Sequence, residues 1–245
     1  MDAVDACRDS VAGFEDGFLI EAVLRVPVVL RHPIPLEAIL ARRMVDVGDS
    51  FDLNRIPLVR LADRVWCASQ SFLVAPVQRV AVPFVRATKP GIFFERHHLG
   101  HAAARVGKVE TKRRDTRNVL DEREAAVCRS IVWWGRGDIA EVSRLASGLR
   151  EVGAKRAQGY GEVEEVRITP FDSVPSDFGA CRSDGSPSRA LPVAWWDDRG
   201  RRGRAVEAVM TIGLPRWSAE PEEVVVPEDD FIWPTDLAEL FAGKP

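Results

Sequence analysis

The chain has 245 residues, of which 46% are hydrophobic and 29% charged, the composition of a globular protein able to bury a real core rather than of a disordered or fibrous one. It contains no run of about 18 apolar residues, which excludes a helical membrane span, and its acidic start (Asp2, Asp5, Asp9, Glu15 and Asp16 against Arg8) is the reverse of a signal peptide, so a cytoplasmic location is expected. The net charge of -3 hides a partition: from Ser218 onward the chain carries -7, which leaves +4 on the rest.

Phe18 to Leu30 is rich in aliphatic and β-branched residues and reads as a first strand, bent or bulged at Pro27, which has no ladder donor. After the breaks at Pro33 and Pro35, Leu36 to Val45 carries Leu36, Ile39, Leu40 and Met44 at helical spacing, with Arg42 and Arg43 outward. Residues 56 to 86 hold short β-like runs cut by Pro57, Pro76 and Pro83, giving two or three extended segments of edge character. Residues 86 to 120 form a basic, poorly periodic insertion that includes Arg105, Lys108, Lys112, Arg113, Arg114 and Arg117, with His97, His98 and His101 among them.

Regular patterning resumes with a strand over Ala125 to Trp134, then a helix from Ile139. Asp138 is placed to cap that helix, with Glu141 as a capping-box partner and Gly153 as its C-cap; Arg136-Gly137-Asp138 is thus a turn plus an N-cap. A glycine-rich basic loop, Gly153 to Gly161, leads into a strand over Glu162 to Ile168. Thr169 to Pro192 is full of Pro, Gly, Ser and Asp and reads as a linker or long surface loop. Beyond it, Val193 to Trp196 and Ala205 to Ile212 flank an arginine-rich tip and read as a hairpin, followed by an acidic tail with a short helix near Asp236 to Phe241.

The order strand, helix, extended region, strand, helix, strand predicts an α+β fold: a ferredoxin-like or RRM-like βαββαβ domain, its antiparallel sheet covered by two helices on one face. The expected organisation is an acidic segment (1–17), this domain (18–168) with the basic insertion at about 86–120, a linker (169–192) and a small β-rich appendage (193–245). Cys7, Cys67, Cys128 and Cys181 form no CxxC pair, so reduced structural thiols are expected and no zinc site. His97 and His101 stand four apart, but Gly100 between them and the lack of paired carboxylates argue against a metal there; no cofactor is expected.

The loop is where chemistry is expected. Gly153, Gly159 and Gly161 permit positive φ or close approach, Lys155 and Arg156 supply cations, Gln158 a polar side chain, and Tyr160 an aromatic face for a base or ribose. Nucleotide loops place glycines between a strand and a following helix; these follow a helix and precede a strand, which disfavours NTP and dinucleotide binding. The arginine tip beside Trp195 and Trp196 reads equally well as a solvated turn.

Two runs, Trp134-Gly-Arg-Gly-Asp-Ile-Ala-Glu-Val and Leu149-Arg-Glu-Val-Gly-Ala-Lys-Arg-Ala-Gln-Gly-Tyr-Gly-Glu-Val, resemble the last helix and glycine-rich loop of the RAMP superfamily of CRISPR-associated proteins. Pro35-Leu-Glu-Ala-Ile-Leu-Ala-Arg and Gly213-Leu-Pro-Arg-Trp resemble one branch of it, the backbone subunit that caps the crRNA 5′ handle in type IV effector complexes. The resemblance covers residues 18–45 and 123–168, and weakly 205–227. It implies an RRM-like domain with a thumb inserted within residues 86–120, a guide RNA as ligand, and the backbone-filament subunit and other effector subunits as partners, with no membrane. It carries RNA holding onto Gly153, Lys155, Arg156, Gln158, Gly159, Tyr160 and Gly161, without catalysis. The alternative within the superfamily is a metal-independent endoribonuclease that matures guide RNA, with His97, His98 or His101 as general acid or base.

Overall fold

The structure, a computed structural model, describes residues 17–50, 52–62, 65–86, 119–200, 203–212, 220–228 and 232–233. The basic insertion residues Arg105 to Arg117, the three histidines His97, His98 and His101, the acidic start and the expected terminal helix lie outside them. The chain divides into two compact units, Met1–Gln78 with Ala126–Pro245, and Arg79–Ala125.

The fold is α+β with mostly antiparallel sheets. In the larger unit, β1 (Gly17–Leu24) and helix α1 (Leu36–Asp46) are followed by β2 (Arg60–Ala62), β3 (Val65–Trp66) and β4 (Phe72–Val74). Then come β7 (Ser130–Arg136), α2 (Ile139–Ala146), β8 (Val163–Phe171), β9 (Leu191–Pro192), α3 (Val193–Asp197), β10 (Ala205–Met210), β11 (Glu222–Pro227) and β12 (Ile232–Trp233). The smaller unit holds most of β5 (Gln78–Arg86) and β6 (Val119–Val127), which pair in a two-stranded sheet with an exposed Arg79–Glu124 ion pair at 2.6 Å.

The main sheet has the order β12-β4-β7-β1-β8; β1 runs antiparallel to both β7 and β8, β4 antiparallel to β7, and β12 parallel to β4. Alternation along β1 and β7 sorts their side chains between two faces. Phe18, Ile20, Ala22, Ile131 and Trp133 join Leu36, Leu40 and Met44 of α1 and Val142 and Leu145 of α2 in the principal core, so both helices lie on one face. Leu19, Val132 and Trp134 pack with Phe72 and Val74 on the other face, against Phe171 and Phe178. Burial on both faces explains the unbroken apolar run IVWW in β7.

Several expectations need correcting. The strand expected over Ala125 to Trp134 is two, interrupted at Cys128 and Arg129. Opposite that interruption β1 also stops, and Pro27, lacking an N–H, cannot continue the ladder; pairing resumes as Val28 N–H to Ala126 O (2.9 Å) and Ala126 N–H to Val28 O (2.7 Å). Residues 193–197 are a short helix rather than a hairpin arm: Pro192, at φ -56°, sits at its N-cap and sets the entry. The partner of β10 is therefore β11, which also pairs with β9.

The stretch 172–190, expected as a linker, carries core. Ala180 and Cys181 join Val65, Leu191, Trp196 and Val225 in a second small cluster. Its backbone laces onto the chain before β4 where Gln70 N–H donates to Ser188 O (3.1 Å), and onto itself where Ser188 N–H donates to Ala180 O (2.9 Å). Buried Arg189 forks onto buried Glu37 of α1.

Candidate nucleic-acid interface

The glycine loop is a closed excursion from the principal core. Buried Leu149 and Val152 anchor its entry and Val163 its exit. The two arms pair through Val152 N–H to Gly161 O (2.8 Å) and Val163 N–H to Arg150 O (2.8 Å). The floor is the extension of β1: Gly161 N–H donates to Pro27 O (2.9 Å) and Ala154 N–H to Val29 O (2.8 Å). The proline that breaks the β1 ladder thus offers its carbonyl to the loop.

That floor is itself pinned. Ile34 N–H donates to Ser71 Oγ (2.9 Å), and Ile34 O accepts both the Ser71 N–H (2.9 Å) and the Trp133 Nε1–H (2.9 Å). Loop and floor form one hydrogen-bonded body, so the backbone that carries the loop cations is held relative to residues 27–35.

Between its anchors the loop makes one helical turn over Arg156–Gln158, entered through Lys155 in the left-handed region (φ 62°) and left through Gly159 (φ 82°). For a lysine that conformation costs about 1–2 kcal/mol, which the flanking hydrogen bonds hold in place. Arg156, Gln158 and Gly159 are exposed, Gly153, Lys155 and Tyr160 half-buried, and Gly161 buried. All seven loop residues singled out by sequence therefore lie together, with the cations and Tyr160 on one short arc. Gly153 is not a helix C-cap: α2 ends at Ala146 with Ser147 at its cap, and Gly153 serves a close approach, its φ of +87° placing the missing Cβ 2.7 Å from Val29 O.

Beside the loop lies a cleft of about 260 Å³ lined by Arg42, Arg43, Arg150 and Arg156 with Asp46 and Glu151. Arg42 and Arg43 both pair with Asp46, at 2.8 and 3.2 Å, and Arg43 also donates through Nε to Leu145 O (3.2 Å), which makes it less outward than its helical position implied. Arg150 and Arg156 are exposed and have no ion-pair partner among the described residues. A second cleft, about 330 Å³, runs from Gly153 and Ala154 along Val29 to Pro35 and includes exposed Arg31 and His32. Sequence reasoning missed Arg150 and Arg31; the signal was two lone cations immediately flanking the loop and its floor.

Phe72 and Trp134 on the face away from the helices are fully buried, their ring centroids 4.9 Å apart, under Phe171 and Phe178. In the C-terminal part, Arg199 stacks over Trp195 at 4.2 Å and lies 3.6 Å from Asp177 while remaining exposed, and Arg204 is exposed as well; Arg201 and Arg202 lie outside the described residues. Among the described residues no group of His, Cys, Asp and Glu is arranged to hold a metal, and no helix is long and apolar enough to cross a membrane. Neither protein-family models nor curated proteins give a match to this chain.

Proposed function

We propose that the chain is a non-catalytic RNA-binding subunit of a CRISPR effector ribonucleoprotein of type IV character, holding the 5′ handle of the guide RNA and capping the backbone filament. The observation that carries this reading is the rigid glycine loop: Lys155 held at positive φ, Arg156 exposed beside it and Tyr160 on the same arc, all anchored to Pro27 and Val29 next to a cleft lined by Arg150. Cations on a held backbone suit phosphates and an aromatic face suits an unstacked base. The reading is further supported by the order β4-β7-β1-β8, all antiparallel with both helices on one face, which is the arrangement a ferredoxin-like or RRM-like βαββαβ domain requires.

The test is binding of labelled repeat RNA at ~0.15 M salt by wild type and by Lys155→Glu with Arg156→Glu. The double variant is expected to lose most of the affinity; Arg156 is exposed and Lys155 half-buried, so its thermal midpoint is measured alongside to separate lost binding from lost folding. Unchanged affinity would sink the loop as the RNA site. The same mixture kept in EDTA checks the non-catalytic part: product ending in a cyclic phosphate, lost on His97, His98 or His101→Ala, would make the protein a nuclease.

A further inference from the structure

Next to the floor of the glycine loop, a cavity of about 240 Å³ opens between residues 32–37 and strands β10 and β11. Gln70 lines it and is only 7% exposed, yet its Nε2 has no hydrogen-bond partner, and no hydrogen bond to its side chain exists among the described residues. Its backbone is well held, with the N–H on Ser188 O. A buried carboxamide left without partners opposes folding, so its presence calls for something that completes it.

The neighbouring charges do not. Glu37 and Arg189, 1% and 3% exposed, satisfy each other through two parallel hydrogen bonds, and Arg189 Nη1 donates also to Ala68 O (3.2 Å). That pair presents no net charge to the cavity and so offers a phosphate, carboxylate or cation no counter-charge; the exposed imidazole of His32 is the remaining polar group of the lining. The walls are apolar, with Pro33 and Pro35 on one side and Met210 and Val226 on the other. A sugar would leave several hydroxyls unpaired against such walls, and a purely apolar ligand would leave the amide unpaired. A flat group with an apolar face and a donor next to an acceptor on its edge satisfies both, since a carboxamide offers one of each side by side. Nucleobases have that shape and that edge, and glutamine reads them in two-bond fashion.

Position agrees with chemistry. His32, Pro33 and Pro35 line both this cavity and the cleft that reaches Gly153 and Ala154. A strand whose phosphates meet Lys155 and Arg156 would pass along residues 29–35 and arrive at the mouth of the cavity. We propose that the cavity takes one splayed-out base of the bound RNA strand and that the Gln70 carboxamide reads its edge; this rests on the RNA-binding reading above.

Short homopolymers rA, rC and rU are titrated by fluorescence anisotropy into wild type, Gln70→Leu, Ala208→Trp (which fills the cavity) and the Lys155→Glu, Arg156→Glu variant. Wild type should discriminate among the homopolymers by about tenfold. Gln70→Leu should erase that discrimination, leave the salt slope unchanged and not lower the thermal midpoint, because an apolar side chain of similar size replaces an unpaired amide. Ala208→Trp should erase it too, and it serves as the independent variant if Gln70→Leu folds poorly. The loop variant should weaken all homopolymers alike. Wild-type discrimination retained in both Gln70→Leu and Ala208→Trp overturns the pocket, as does its absence from wild type. Free AMP, CMP and UMP are titrated in parallel: Gln70-dependent mononucleotide binding with RNA affinity and preference unmoved by Gln70→Leu also overturns it, since the base would then not come from the strand. Failure of the loop variant to weaken RNA counts against the loop alone, because Gln70-dependent discrimination would persist.

Discussion

Arg189 and Glu37, 152 residues apart, face each other as a fork inside the protein, with the Arg189 Nη1 to Glu37 Oε2 distance at 3.0 Å and a second bond from Nη2 to Oε1. Glu37 lies in the first turn of α1, where its charge also complements the helix dipole, and Arg189 extends the link to Ala68 O. Removing one partner strands the other charge in the interior. Glu37→Met or Arg189→Leu alone is therefore expected to cost about 3–5 kcal/mol, while the two together cost much less than the single changes summed. Urea midpoints followed by tryptophan fluorescence measure the cycle; additive single and double changes would mean that the two residues do not act as a pair.

The loop glycines should rank by what surrounds them. A Cβ on Gly161 would lie 1.9 Å from the carbonyl oxygen of Val152, the residue whose N–H closes the loop onto Gly161 O, and its φ is +70°; a Cβ on Gly159 meets nothing within 4 Å although its φ is +82°. Gly159→Ala thus bears only the left-handed backbone cost of about 1–2 kcal/mol, and Gly161→Ala that cost plus displacement of a core-anchored arm. Thermal midpoints should fall much further for Gly161→Ala. Equal falls would show that the loop arms are not held as described.

These two cases mark how far the sequence could be read. The helical spacing of Leu36, Leu40 and Met44, the aliphatic and β-branched run of β1 and the glycines of the loop are local signals, and the structure has helix, strand and positive φ at those places. Glu37 has no distinguishing neighbour in the sequence, and Arg189 sits in a run of Ser, Pro and Gly that composition alone assigns to a surface loop. Nothing local marks two charges as partners across 152 residues. The Val-Ala-Trp-Trp run at the start of α3 misled for the opposite reason: its β-favouring side chains were overridden by Pro192 and by packing of Trp196 into the small core. At the site, the loop was legible because glycine and charge coincide there, whereas Arg150 became visible only once the cleft placed it beside Arg156.

The described cysteines should be poor nucleophiles. Burial pushes the Cys67 and Cys181 thiols up to about 12, with Asp177 adding to the rise and Arg136 opposing it at Cys67, and burial pushes Cys128 up to about 11. Unfolded thiols release their protons near pH ~8.5–9, while the folded ones keep theirs, so folding binds extra protons above that pH. Their contribution to stability is complete below the unfolded value and is lost as pH rises from about 9 towards 12. Urea midpoints should fall over that range, with a shallower fall in Cys67→Ala. Rapid reaction of these thiols with a disulfide reagent in the folded protein at about pH 8 would contradict the burial.

At the start of α2, Asp138 caps the helix by accepting the Glu141 N–H at 3.1 Å. The capping box expected from sequence is only half made: Asp138 N–H donates to Pro57 O, and the Glu141 side chain accepts from Arg144 at 2.7 Å, which holds its carboxyl below the usual range. Asp138→Ala should accordingly cost about 1 kcal/mol, and Glu141→Gln much less because its partner lies at the surface. Equal losses in chemical denaturation would restore the reciprocal box.

Arg150 separates the RNA reading of the cleft from a merely basic surface. It is exposed, lines the same cleft as Arg156 and has no ion-pair partner among the described residues, whereas Arg42 of the same lining is paired with Asp46 at 2.8 Å. If the RNA backbone passes here, an unpaired cation releases counterions on binding and an already neutralised one does so less. Arg150→Gln should then reduce the slope of log Kd against log salt by roughly 0.7, the value for one phosphate contact on a single strand, and weaken every RNA sequence by a similar factor. Arg42→Gln should move the slope less. Anisotropy titrations across a salt series give both numbers, and a slope that ignores Arg150 would take this cleft off the path of the strand.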